Sequence, residues 1–437
     1  VRQVALDTFV ETDDTTPQKT GTVALRSNCG SGCFMRKWLN RHRFLVAFGA
    51  LSSLMGISVG LAKVTTSLYA ISLGANDAQL GLIAGSQSVG VLLMSLPLGM
   101  LVERYGPQRL FLIGTACAGA LYAVLPLVRS PLYLLLCTAS IGFFMPFRFV
   151  SLNTIFLRQL LSLGQNKAGW YRGTHVAGMF LLGPLLAASA IEHFDYKGTY
   201  WLICAVFTLT LVLSPIVLGR AEARSAVQPH AERQLSALVA RLKVGFEDAE
   251  LRLACSIETG AQTINGYYTF FIVAIAVTKL GFSKNEAAGL VATQGLSYVF
   301  ALFALGGTAT RLGLAGSSLI SGILLLSALV LLGLVHELFW LQCGGLLLGF
   351  GLGMLQIVNL MRFARIGARL GHGQTAGMNA LAGPLGGLLG STVGGGLGRH
   401  LGLQTMFLCF VPLALWLGMT AASIQPWFSG ERVSKRR

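Results

Sequence analysis

Twelve runs of roughly 20 or more mainly apolar residues, the length that crosses a bilayer as a helix, occupy almost all of the chain past position 43. They are 44–73, 79–102, 109–128, 132–157, 173–191, 199–219, 253–278, 286–308, 314–335, 338–361, 375–398 and 402–425. In lipid the backbone must satisfy its own hydrogen bonds, which leaves helices or closed barrels. Runs this long, with no period-two alternation, are not barrel strands. Charged residues make up 11% of the chain, against about 25% in soluble domains, so a soluble enzyme is excluded. The first run is too long for a signal-peptide core, and no removable presequence is expected.

The net charge of +16 raises the question of nucleic acid, and the positions of the bases answer it. Twelve spans put both chain ends on one side, and from Arg36 onward that side collects 23 Lys and Arg against 5 on the other. The positive-inside rule then places both termini in the cytoplasm with no nucleic-acid partner required. Six of the eight cysteines lie in apolar runs; Cys29 and Cys33 lack the further ligands of a zinc site. No P-loop, metalloprotease or dinucleotide motif occurs, so neither enzyme activity, cofactor nor metal is expected.

The organisation reads as a polar tail (1–42), a six-span bundle (43–219), a mixed-charge linker (220–251), a second six-span bundle (252–429) and a basic tail (430–437). The halves are related. At a shift of 207, Leu73-Gly74 falls on Leu280-Gly281, Gln87 on Gln294, Gly99 on Gly306, Arg104-x-Gly106 on Arg311-x-Gly313, and Gly142 on Gly349. A parallel duplication of six-helix units is a transporter architecture with its site between the halves near the midplane.

Between spans 2 and 3 stands Gly99-Met-Leu-Val-Glu103-Arg104-Tyr-Gly106-Pro-Gln-Arg109. It resembles the cytoplasmic loop signature of the major facilitator superfamily, with Glu103 in place of Asp, and Arg311-x-Gly313 is similar to its second copy. Gly178-x4-Gly183-Pro184 in span 5 resembles the superfamily's antiporter motif, with one extra residue in the spacing. The resemblance implies an all-α fold of two pseudo-symmetric six-helix bundles. It also implies a latch in which Glu103 meets the positive end of span 11, with Arg104, Arg109 and Arg311 tying the loops. The arginine that the family's drug/proton antiporters carry in span 4 is absent from its expected place, and Arg148 stands six residues beyond Gly142 instead.

Ionisable groups inside a span are functional candidates because each costs a few kcal/mol at mid-bilayer. Lys63 and Arg148 are about 15 Å deep by helical rise, and Glu258 is roughly 8 Å from the cytoplasmic side. Span 7 aligns Glu258, Gln262, Asn265 and Thr269 on one face, and span 10 carries Gln356 and Asn359. Lys63, Arg148, Gln262, Asn265, Gln356 and Asn359 are therefore the candidate substrate contacts. Alternatively, Lys63 or Arg148 pairs with Glu258, or Lys63 snorkels outward. Glu258 and His175 are the candidate proton carriers. The expected function is secondary transport of a small anionic or amphipathic organic molecule (a drug, secondary metabolite or siderophore) by alternating access, with export favoured. Proton-coupled uptake of an organic anion is the alternative, and a non-transporting receptor the third. A monomer in a bacterial inner membrane, using a proton gradient, completes the expectation.

Overall fold

A computed structural model describes residues 43–163, 169–222, 247–370 and 372–422. The expected tails and most of the linker lie outside them. The helices are α1 (Arg43–Ser72), α2 (Asp77–Tyr105), α3 (Pro107–Val124), α4 (Pro131–Leu163), α5 (Gly169–Val176), α6 (Gly183–Glu222), α7 (Ala249–Thr278), α8 (Lys284–Ala304), α9 (Gly306–Leu334), α10 (Leu338–Leu370), α11 (His372–Leu401), α12 (Met406–Cys409) and α13 (Val411–Ala422).

These make twelve spans. α1–α4 are spans 1–4 and α7–α11 are spans 7–11. A π-helical turn, Ala177–Leu182, joins α5 to α6. Asp195, at φ 56°, breaks α6 into the end of span 5 and the whole of span 6. Span 12 is α12 followed by α13. The turn between spans 5 and 6 is thus one residue, where the sequence had left a loop of seven. Seven described stretches pass as spans on length and hydropathy, the 46-residue Gly173–Leu218 among them. α2, α7 and α11 fall short because their Gly, Ser, Thr and amide residues lower the hydropathy.

The duplication is visible atom by atom. Gly74 and Gly281 have φ of 74° and 71°, and Gly106 and Gly313 have 83° and 73°. Asn76 and Gln79 form a capping box at the start of α2, and Ser283 and Glu286 form its counterpart, also 207 residues on, at α8. There the Glu286 carboxylate accepts from the Ser283 backbone N–H at 2.9 Å and from its hydroxyl at 2.8 Å. A Cβ on Gly142 would meet the Gln87 carbonyl, and one on Gly349 the Gln294 carbonyl. The same contact is therefore made in both bundles.

Gly106 and Gly313 sit at φ and ψ of 83°, 143° and 73°, 174°, a region that costs other residues about 1–3 kcal/mol. Gly106→Ala and Gly313→Ala are each expected to lower thermal stability by that amount. The two losses should be similar, as read by melting in detergent.

The bundles meet along α2 against α11 and along span 5 against α8. α11 serves two partners with two rows of small residues. Gly386, Gly390 and Gly394 abut Thr259, Thr263 and Tyr267 of α7, while Gly387, Ser391 and Gly395 abut Ser88 and Gly81 of α2. Small residues let backbones approach where no hydrophobic driving force exists between helices.

Candidate functional site

The helix ends divide the molecule into a basic end, with Arg104, Arg109, Arg311 and Arg369, and a far end, with the α1–α2 and α7–α8 turns. The molecule is sealed at the far end. Residues 64–70 of α1 and 267–276 of α7 are buried without interruption. Ser67 Oγ donates to the Phe270 carbonyl at 3.0 Å. Asn285 Nδ2 donates to Glu192 at 2.8 Å, and the Lys284 ammonium lies 5.2 Å from the centre of the Tyr196 ring. Each of these contacts joins one bundle to the other.

Beneath this seal lies a cavity of about 70 Å³ lined by α1, α2, α7 and α11. Lys63 enters it from α1. Around it stand Thr66, Gln87, Ser88, Thr269 and Ser391, and no carboxylate lines the wall. Lys63 makes no ion pair or hydrogen bond with any described residue, so its charge faces the space between the bundles. Sequence reasoning found Lys63 but missed Ser88 and Ser391. A serine among glycines carries no signal until the packing shows which face it shares.

Arg148 is elsewhere. It is fully buried inside the first bundle, with Nη2 3.3 Å from Ser58 Oγ and its guanidinium 4.1 Å from the Phe207 ring centre. A desolvated cation–π contact of this kind is worth on the order of 2 kcal/mol. The side chain turns toward span 6, and Arg148 is not among the residues that line the cavity. Arg148 and Lys63 do not pair with Glu258 either.

Glu258 organises the second bundle instead. It is buried and accepts from Gln262 Nε2 at 3.1 Å, Asn359 Nδ2 at 2.9 Å and Gln356 Nε2 at 3.3 Å. Asn265 Nδ2 donates in turn to Gln262 Oε1 at 3.3 Å, and Gln294 Nε2 to Asn265 Oδ1 at 3.3 Å. The four expected polar contacts of spans 7 and 10 thus gather around one carboxylate, Gln262, Gln356 and Asn359 directly and Asn265 through a one-directional chain of amides that ends at Gln262. The chain begins at Gln294, whose buried Oε1 has no partner; Asn359 Oδ1 also has none. Thr269 in the Lys63 cavity and Glu258 are eleven residues apart on α7, roughly 16 Å along the axis.

His175 is buried, its Nδ1 3.3 Å from the Ser52 carbonyl and its ring edge-on to Phe149. It opens onto the π turn that absorbs the extra residue of the Gly178-x4-Gly183-Pro184 motif. A π turn holds one residue more than an α turn, so Gly178 and Gly183 still share a face. That face meets α1, where Gly56 abuts His175 and Met179 and Gly60 abuts Met179 and Gly183. Pro184 cannot donate to the Phe180 carbonyl, and that carbonyl instead faces Gly295 of α8, across the bundle boundary.

Of the expected latch, Gly99 and Glu103 lie in α2, but the Glu103 side chain is outside the described ones. Arg104, Arg109 and Arg311 are exposed and form no ion pair with a described residue. Among the described residues, Arg369 pairs at the basic end with Asp248 and Glu250, both at 2.9 Å, within the second bundle.

The fold is similar to three solved transporters. One is the nucleoside transporter NupG (TM-score 0.70, 13% identity, covering 87% of this chain and 98% of that one). Another is the human organic anion transporter MFSD10 (0.62, 16%, 87% and 98%). The third is a POT family transporter in complex with 5-aminolevulinic acid (0.71, 12%, 88% and 96%). A search of curated proteins finds no match. Residues 44–270, more than half of the chain, match the sequence profile of the Major Facilitator Superfamily. With that match, and with twelve spans in two related bundles around a shared cavity, the chain belongs to the Major Facilitator Superfamily and is a multi-pass membrane transporter of small molecules.

Proposed function

We propose that this transporter carries a small organic anion, and that export in exchange for protons is its direction. The observation that carries the substrate class is Lys63, a cation without a counter-ion in a cavity whose other polar walls are hydroxyls and an amide. Charge-assisted bonds to a carboxylate or phosphate are the strongest available to such a group. A cavity of about 70 Å³ takes only the anionic head. The rest of the ligand, whether drug-like, metabolite or carboxylate siderophore, would lie toward the basic end. Two of the structural neighbours, an organic anion transporter and a carrier seen with an amino-carboxylate, are consistent with this class.

Glu258 supports proton coupling. Three side-chain amides and no cation hold it, which suits a carboxylate. Taking up a proton requires one amide to turn its oxygen inward, and Asn359 Oδ1, with no partner, is available to accept it. If Gln262 accepts the proton instead, the chain through Asn265 reverses and gives Gln294 Oε1 a donor, beside the Gly295–Phe180 contact between bundles. His175 is the second candidate. The likeness of the Gly178–Pro184 segment to an antiporter motif supports export. The base asymmetry supports a cytoplasmic basic end, and hence a state closed to the outside. Proton-coupled uptake through the same groups is the alternative, and the sign of the gradient response separates the two.

Inverted vesicles holding the protein should take up a labelled aromatic carboxylate when their interior is acid. Glu258→Gln should remove the pH dependence while leaving exchange of the solute across the membrane at zero gradient. A pH response retained in Glu258→Gln would end the coupling role. Accumulation only with the gradient reversed would make the carrier an importer.

A further inference from the structure

The cavity between the bundles is polar on both walls, but the two walls offer opposite halves of a hydrogen bond. On the first-bundle side, the Lys63, Gln87 and Ser88 side chains donate to no described residue. Thr66 beside them accepts from the Tyr200 hydroxyl at 3.4 Å and keeps its own proton. On the second-bundle side the hydroxyl protons are committed. Thr269 Oγ1 donates to the Asn265 carbonyl at 2.9 Å, and Ser391 Oγ to the Gly387 carbonyl at 2.7 Å. The remaining residues of that wall are glycines and Phe270, which carry no polar side chain. A ligand therefore meets donors on one side and only hydroxyl lone pairs on the other.

Resting on the anion reading of Lys63, we propose that the carried anion is an α-hydroxy carboxylate. Its carboxylate accepts from Lys63 and Ser88, and its hydroxyl donates to Thr269 or Ser391. The second wall makes the selection. A bare carboxylate reaching it would set an oxygen against hydroxyl lone pairs, or cost one hydroxyl its bond to the helix carbonyl. Either lowers affinity, because a buried polar group is left without its partner. A ligand donor turns the same contact into a bond. An ammonium is the poorer donor here: within about 70 Å³ it would stand beside the Lys63 charge with no carboxylate on the wall to offset it. A hydroxyl donates without adding charge. The small volume also puts that hydroxyl on the carbon next to the carboxylate, since a longer spacer would not be enclosed. Bonded to α1 and α2 on one side and to α7 or α11 on the other, a single head group then ties the two bundles together.

The test is calorimetry on the purified full chain at neutral pH, with mandelate, phenylacetate, O-methylmandelate, phenylglycine and mandelamide as probes. Phenylacetate lacks the donor, the methyl ether blocks it, phenylglycine replaces it by an ammonium, and mandelamide lacks the anion. The better-binding enantiomer of mandelate should exceed phenylacetate about two- to tenfold, the size of one neutral hydrogen bond. O-methylmandelate and phenylglycine should both bind more weakly than mandelate. Combining Thr269→Val with Ser391→Ala should bring mandelate down to phenylacetate, whereas Thr269→Ser should keep the gap. Parity of mandelate with phenylacetate or with its methyl ether, while mandelamide stays weaker, would overturn the α-hydroxy assignment and leave the anion site standing. So would phenylglycine binding tightest, or a gap that survives the double substitution. Mandelamide binding as tightly as mandelate would instead remove the anion site, and the α-hydroxy assignment with it. The unaltered chain decides both points, whatever the stability of the variants.

Discussion

Lys63→Gln is expected to cut the affinity for an anionic solute by about 10- to 150-fold, the equivalent of one charged hydrogen bond at roughly 1.5–3 kcal/mol. The reason is its isolation. Thr66, Gln87, Ser88, Thr269 and Ser391 can orient an anion but not neutralise it, and no other cation lines the cavity. Arg148 cannot substitute, since it is held inside the first bundle by Ser58 and Phe207. The measurement is binding of a carboxylate and of its neutral amide to the purified protein by calorimetry. Only the carboxylate should weaken. Equal loss for both would show Lys63 to be a packing residue, and no loss for either would remove the anion site altogether.

Gly395→Leu should trap the carrier with its far end open. The Gly81 and Gly395 backbones touch where α2 of one bundle crosses α11 of the other: a Cβ on Gly395 would stand 2.5 Å from the Gly81 Cα. No rotamer relieves a clash with backbone, so the far ends must part. Overpacking on the order of 1–3 kcal/mol shifts a two-state equilibrium by roughly 5- to 150-fold. Transport should fall by a similar factor, and a thiol at Ser88→Cys, in a background without other cysteines, should become reactive from the far side. Gly396→Leu is the control. A Cβ on Gly396 meets nothing within 4 Å, and that variant should transport normally. If Gly395→Leu also transports normally, the α2–α11 contact is not part of the closing surface.

Much of the architecture was legible because it rests on quantities a chain carries locally. Apolar length specifies spans, and the repeated Arg-x-Gly and Gln matches at a shift of 207 foretold paired turns that the structure shows at Gly106 and Gly313. The capping boxes at Asn76 and Ser283 are equally readable, since they lie at the same shift. The odd spacing of Gly178 and Gly183 was legible as a departure, yet its accommodation by a π turn was not, because that depends on α1 offering Gly56 and Gly60 to the realigned face.

The candidate site divided differently. Depth along a span follows from counting residues, so the sequence by itself determined that Lys63, Arg148 and Glu258 lie within the membrane and are expensive to keep there. Azimuth does not follow from counting. Only the tertiary structure decided that Lys63 faces the shared crevice, that Arg148 faces Phe207, and that Gln262, Gln356 and Asn359 close around Glu258. A helix in lipid has no water-facing side to announce which way it is turned, and its rotation is set by the neighbours it packs against.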